Sequence, residues 1–227
     1  MAEIHRTTMT PGKLELLAAW LPEQPWYVGH GGGPALTRAG GFRLDDPAGE
    51  VGIEFLIAAD AWDDQVAAYL VPLTYRGTPE PAMADALIGT TEHGVLGRRW
   101  VYDGVHDPVL VAQLLAFLQG QVQAQAQRVS NTVDRSVVGR LSVPGSLVAT
   151  ASTVVAGLPG GTDVLVETVH ESGAPAQPMI LRVVRALLPD VTSGLSEAAV
   201  VGHVSAGWQW PDGTVVRDHV VLARTAA

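Results

Sequence analysis

The side chains able to do chemistry in this 227-residue sequence are few, and their spacing excludes several reactions. Cysteine is absent, which removes disulfides, thiolate metal sites and cysteine nucleophiles. Lys13 is the only lysine among 14 basic residues, so any step that needs a lysine must use it. The seven histidines, His5, His30, His93, His106, His170, His203 and His219, include no i, i+4 pair of the kind that holds catalytic zinc on a helix. No Gly-x-Ser-x-Gly elbow is present. Asp45-Asp46 and Asp63-Asp64 lie in polar, turn-like stretches and read as turn residues. Gly31–Gly33 runs into Pro34 with no lysine nearby, which suits a turn-forming loop better than a phosphate loop. These observations predict no catalytic residue, no metal and no cofactor.

The aromatic residues are more informative. Trp26 and Tyr27, followed by His30, and the pair Trp208/Trp210 are the candidate ligand or partner surface. Two tryptophans two residues apart on an extended segment share a face, where they can stack on a sugar ring or anchor a protein. Core packing is the commoner role, because tryptophan is highly buried on average.

The elements that must position these residues are set by period and punctuation. Thr10-Pro11 opens a first helix that carries Leu14, Leu17, Ala18 and Leu21 and stops at Pro22. Val51, Ile53, Phe55 and Ile57 alternate as a half-buried strand. Tyr69, Val71, Leu73 and Tyr75 form a second, which Pro72 assigns to an edge or a bulge. Arg98–Tyr102 is a third strand, with a short helix over Pro81–Ile88. Asp107-Pro108 caps a long helix predicted over Asp107–Arg128, with the stripe Leu110, Leu114 and Leu118 and a glutamine-rich face. That stripe is expected to cover the three strands, and the uncharged glutamine face to offer a surface for a protein partner or for homo-oligomerisation.

Beyond that helix the runs Ser146–Ala156, Asp163–His170, Met179–Leu188 and Val215–Leu222 are β-rich and separated by turn signals such as Pro159-Gly160-Gly161 and Pro211-Asp212-Gly213. The fold class is therefore α+β, with antiparallel sheet packed on a long helix. A break near 129–145 divides the chain into 1–128 and a β-rich 129–227, either a second domain or an extension of the first sheet. Hydrophobic residues at 47% against 16% charged, with mean hydropathy +0.21, imply a substantial core. A net charge of −9 argues against nucleic acid, which needs a basic footprint. No apolar run reaches the length of a membrane span, and the first residues lack a signal-peptide plan. A cytoplasmic protein is expected.

Several ordered segments carry a resemblance. Ala19–His30 (AWLPEQPWYVGH), Tyr69–Gly77 (YLVPLTYRG) and Leu87–Asp103 followed by Asp107-Pro108 resemble the N-terminal cap of actinobacterial maltokinases. The likeness covers roughly residues 10–128. It implies a cystatin-like cap of antiparallel strands and helices, which in the full kinases precedes a two-lobed phosphotransferase body. This sequence departs from the family's opening motif at Pro25, where arginine is usual, and at His30, where lysine is usual. Residues 129–227 contain no lysine and no His-x-Asp-x-x-x-x-Asn pattern, although phosphoryl transfer depends on such positioned charges. The resemblance implies a non-catalytic, cap-like binding or regulatory module linked to α-glucan, trehalose or maltose metabolism. The alternatives are a degenerate sugar kinase that binds ATP and a carbohydrate-binding module.

Overall fold

Ile53, Phe55, Ile57 and Ala59 alternate as expected, but Leu56 and Ala58 between them are apolar too, so this strand can be covered on both faces. It lies at the centre of the fold. The computed structural model describes residues 8–29, 33–63, 65–127, 129, 131–155, 160–188 and 200–226. Strands β1 (Met9–Thr10) and β2 (Thr37–Leu44) flank helix α1 (Lys13–Trp20). β3 (Gly52–Trp62) and β4 (Gln65–Arg76) form a long hairpin in which Trp62 faces Gln65, with Asp63 at φ 49° in the turn. A 3₁₀ turn over Pro81–Ala86 leads to β5 (Leu87–His93) and β6 (Gly97–Asp103). Helix α2 (Pro108–Leu118) is followed by short β7 (Gln125–Ala126) and β8 (Val138–Leu141). Strands β9 (Leu147–Val155), β10 (Gly161–His170), β11 (Met179–Val184), β12 (Ala186–Leu187), β13 (Gly202–Gln209) and β14 (Val215–Thr225) complete the described chain.

These strands form one antiparallel sheet in the order β1-β5-β6-β4-β3-β2-β13-β14-β11-β10-β9. The path also closes on itself, because β12, which continues β11, pairs with β4. The strands after residue 129 thus continue the sheet begun before residue 107. With few helices on a mostly antiparallel sheet, the class is α+β.

Two cores lie on opposite faces of the β3–β4 hairpin. Ile53, Phe55, Ile57, Ala59, Ala68 and Leu70 point into the larger one, where α2 is enclosed. Leu56, Ala67, Tyr69, Val71 and Leu73 point to the other face, under Leu17 and Leu21 of α1 and the following turn and Trp26. The expected half-buried strands are therefore buried on both faces. Pro72 is also not at an edge. It pairs with Phe55 in the middle of the sheet. Leu70 directs its N–H away from β3, to the Arg185 carbonyl, and a residue two positions on points the same way. Pro72, which has no N–H, falls in the gap between β12 on one side and β6 on the other.

Helix α2 is shorter than predicted. Asp107 caps it as expected, accepting from the Val109 N–H at 3.0 Å, with Pro108 in the first turn. It ends at Leu118 because Gly120 adopts φ +73° and closes a Schellman motif. In that motif the Gly120 N–H donates to Phe117 and the Gln121 N–H to Ala116. Leu110, Leu114 and Leu118 are buried, together with Val111, Leu115 and Phe117. They share one core with residues of β2–β4 and with Leu147, Val164, Leu181, Val204 and Val220 of the later strands. Tyr69 and Val101 face α1 instead, so the helix does not cover the three strands as one set.

The predicted glutamine face does not form. Gln119 accepts from the Leu147 N–H at 2.6 Å and donates to the Leu147 carbonyl at 2.9 Å. Gln121 donates to Ser146 Oγ, and Gln127 to Glu54. These three glutamines are engaged within the chain, and the helix expected to run from Asp107 to Arg128 and present them ends at Leu118.

Candidate functional site

The sole lysine sits at the start of α1, where it meets β3. Lys13 Nζ forms an ion pair with Glu54, and lies 5.3 Å from the centroid of the Tyr75 ring. Glu54 is almost fully buried and also accepts from the Tyr75 hydroxyl at 2.7 Å, from Gln127 Nε2 at 2.8 Å and from Arg38 at 3.5 Å. Burial alone pushes the Glu54 carboxyl up, but the Lys13 charge, the hydrogen bonds from Lys13 and Tyr75 and the Arg38 charge together hold it below its usual value. Tyr75 is driven well above its usual value by burial and by the adjacent Glu54. The sequence marks Lys13 as the residue on which lysine chemistry would depend. It gives no sign of Glu54, which reads as the polar member of an alternating strand.

The first aromatic pair forms a corner beside this cluster. Trp26 is buried, with its ring centroid 5.7 Å from Trp20 in an edge-on contact and 6.1 Å from Tyr69. Tyr27 packs at 5.4 Å on Tyr69 and donates to Asp60 Oδ2 at 3.3 Å, and Ala35 N–H donates to Asp60 Oδ1. Burial first, then the Asp60 charge, raises the Tyr27 phenol. His30 lies outside the described residues. The Arg185 guanidinium sits 5.1 Å from the centroid of the Trp26 ring. Arg185 has no exposed surface, donates from Nη2 to both Asp103 oxygens at 2.8 and 2.6 Å, and from Nε to Thr162 Oγ1 at 2.9 Å. Its position, between β11 and β12, ties the first strands to the last.

Trp208 and Trp210 meet edge-on at 6.0 Å, at the end of β13. Their side chains are buried, 5% and 8% exposed, so they do not make the open stacking platform that their spacing allowed. Trp208 pairs with Gly40 of β2, and its Nε1 has no hydrogen-bond partner among the described residues. Trp210 borders a cleft of about 310 Å³, lined also by Ala61, Val66, Pro211, Asp212 and Thr214. The cleft thus lies between the tips of the β3–β4 and β13–β14 hairpins. Asp212 is held by accepting from the Thr214 N–H at 2.8 Å. An apolar wall with an aromatic ring and one oriented carboxylate suits a small polar molecule that presents both a hydrocarbon face and hydroxyls.

The remaining candidates are structural. Asp46 is a buried turn residue that accepts from the Ala48, Glu50 and Val51 N–H groups, not a solvated one. Gly33 is in a loop at φ +76°, while Gly31 and Gly32 lie outside the described residues. No group of three metal-ligating side chains occurs among the described residues. Nor is any described helix long and apolar enough to cross a membrane.

The fold and these clusters define a class, an α+β protein whose antiparallel sheet closes around one helix. Within it, residues 20–107 match the family model of the maltokinase N-terminal cap domain. The match begins at Trp20 and ends at Asp107, so it takes in Trp26, Tyr27, Glu54, the β3–β4 hairpin and the helix cap. No curated protein matches the chain.

Proposed function

We propose that this chain is a non-catalytic cap-like module that acts by binding, in the cytoplasm, within maltose, trehalose or α-glucan metabolism. The observation that carries this reading is the cap match over residues 20–107 combined with the architecture of the strands after it. Strands β8 to β14 extend the cap's own sheet, where a phosphotransferase would place a nucleotide-binding lobe. Lys13, the one lysine, is engaged by Glu54 and Tyr75. The cap segment is of the cystatin-like type, with antiparallel strands packed on a helix. Thermal-shift titration with ATP–Mg²⁺ and a phosphate-transfer assay on maltose and glucosamine test the reading. No saturable stabilisation and no transfer are expected. Phosphate transfer to either sugar would replace it with a degenerate sugar kinase.

A second reading, sugar binding, is favoured by the Trp210 cleft with Asp212 and Thr214 on its wall. Titration with maltose and maltotriose, followed by tryptophan fluorescence, is expected to saturate in the parent and not in a Trp210→Ala variant. An unchanged titration in that variant removes the cleft as the site.

A further inference from the structure

The two ends of the sheet are finished differently. At one end β5 is covered by the two-residue β1, and its surface carries the exposed Glu92–Arg98 ion pair. At the other end β9 pairs only with β10, and no strand among the described residues takes its outer edge. Its sequence, Leu147-Val-Ala-Thr-Ala-Ser-Thr-Val-Val155, has no charge, no proline and no glycine. Open edges in single-chain proteins are usually blunted by charges, prolines, bulges or a covering segment. Among the described residues the protection is confined to the first half of the strand. Gln119 takes both backbone groups of Leu147, and a bulge interrupts the register between Ala149 and Ala151. Ala151–Val155 then runs in regular register against Glu167–Asp163.

We infer that Ala151–Val155 pairs antiparallel with the same segment of a second copy of this chain, around a two-fold axis at Thr153. That register sets Thr153 against Thr153, Ser152 against Val154 and Ala151 against Val155. Threonine pairs and β-branched neighbours are among the favourable cross-strand combinations. The argument for a second copy rests on charge and symmetry. A two-fold antiparallel pair opposes each strand to its own sequence, so a charged residue would meet like charge directly or diagonally. This strand has none to place there. Thr153 and Ala151 are exposed, so their side chains meet no obstacle from their own chain. Pairing would continue the sheet from one copy into the next and satisfy the open backbone groups.

The absence of cysteine gives a direct test. Directly opposed residues of an antiparallel pair have Cα atoms about 4.5–5.5 Å apart, within disulfide reach. A Thr153→Cys variant of the full chain is expected to form an interchain disulfide under mild oxidation, while Val148→Cys, beyond the bulge, stays uncrosslinked. Sedimentation equilibrium of the parent at about 100 µM chain, a range that a modest interface reaches, is expected to give twice the chain mass. Thr153→Lys, which sets two ammonium groups against each other on an exposed strand, is expected to halve that mass with the melting temperature of the monomer unchanged. A monomeric parent overturns the inference. So does a Thr153→Lys variant that remains dimeric, or cross-linking at Val148→Cys in preference to Thr153→Cys.

Discussion

The cap segment and the strands that come after it bury their residues in different ways. In the cap, β3 and β4 are covered on both faces, by α2 on one side and α1 on the other. Their polar residues are consequently trapped, and both trapped carboxylates are bonded: Glu54 by Lys13 and Tyr75, Asp60 by Tyr27 and Ala35. In the later half, β9 keeps one side open to solvent and alternation along β13 is clean, from buried Gly202 to buried Trp208. Gly161–Val164 of β10 and Val220–Ala223 of β14, by contrast, are buried throughout, and the trapped Asp163 there accepts from Arg182 and Arg224. A strand buried on both faces needs its polar groups paired within the protein, whereas a strand buried on one can leave them to water. The two halves touch through α2, through the single pair Trp208–Gly40, and through β12 with Arg185.

The helix is the place to break the comparison outright, since both halves pack on it. Leu114 is 2% exposed, and Leu114→Asp would set an unpaired carboxylate among leucines and valines of both halves. The variant is expected to be unfolded or insoluble, with no cooperative transition by circular dichroism. Leu114→Ala, which only leaves a cavity, is expected to cost about 2–5 kcal/mol in urea unfolding and to keep one transition. Two separate transitions would show that the halves fold independently of the helix.

Next in size is the Arg185 seam. Replacing Arg185 with leucine strands Asp103, a carboxylate 6% exposed, without its cation. The expected loss is about 3–5 kcal/mol, the range for breaking a buried pair from one side. The double variant Arg185→Leu with Asp103→Leu removes the orphaned charge as well and should recover part of that loss. No recovery would mean that Trp26 stacking or the Thr162 bond, rather than the ion pair, holds the seam.

The Gly40 seam should be milder. A Cβ on Gly40 would lie 2.9 Å from the Gly207 carbonyl oxygen and 3.2 Å from the Trp208 backbone, so the two strands would have to part. Gly40→Ala is expected to cost about 1–3 kcal/mol, as for other overpacked sites. The fluorescence of the Trp208–Trp210 pair should shift with it. An unshifted spectrum with lost stability would place the strain elsewhere.

How much of this is legible in the sequence differs between the halves. Caps and turns are local and readable: Asp107-Pro108 does start a helix, and the later β-rich runs are β9, β10, β11 and β14. The strands β2, β5 and β13 escape such reading. β2 contains Gly40 and Gly41, and β13 Gly202 and Gly207, which weaken any strand signal, yet Gly40, Gly41 and Gly202 are required where backbones approach closely. The end of α2 is announced by Gly120, but the leucine stripe and the glutamines beyond it suggest continuation. The candidate site is less legible still. Trp26 and Tyr27 stand out, but Asp60, Glu54, Asp103 and Arg185 find their partners at separations of up to 82 residues, which no local pattern encodes.

Among the groups displaced by their surroundings, Glu54 in the first half and His203 in the later half are an acid and a histidine, and the two should separate by pH. Glu54, in the cap, is held below its usual value of 4.5, so the unfolded chain takes up that proton first as pH falls. Its contribution is complete above that value and is lost as pH falls through the lower folded value. Urea midpoints between about pH 5 and 3 should drop in the parent and drop less in Glu54→Gln, once the variant's own offset is subtracted.

The smallest effect belongs to the later half, at the cross-strand pair of His203 and His219. Their rings lie 4.1 Å apart at 33°, and Ser205 Oγ is 2.9 Å from His219 Nδ1. Burial first, then the charges of protonated His219 and of Arg140, hold His203 below its usual 6.5. A lowered histidine is one that folding keeps neutral, so the unfolded chain binds more protons just below that value. The stability tied to His203 is intact above about pH 6.5 and declines as pH falls through the lower folded value. Partial exposure makes the decline shallow. Measured by urea midpoints from about pH 7.5 to 5, the slope should flatten in His203→Gln and be unaffected by Glu54→Gln. If Glu54→Gln flattened the slope in this window instead, the two halves would be sharing one titration, and the separation drawn from their burial would fail.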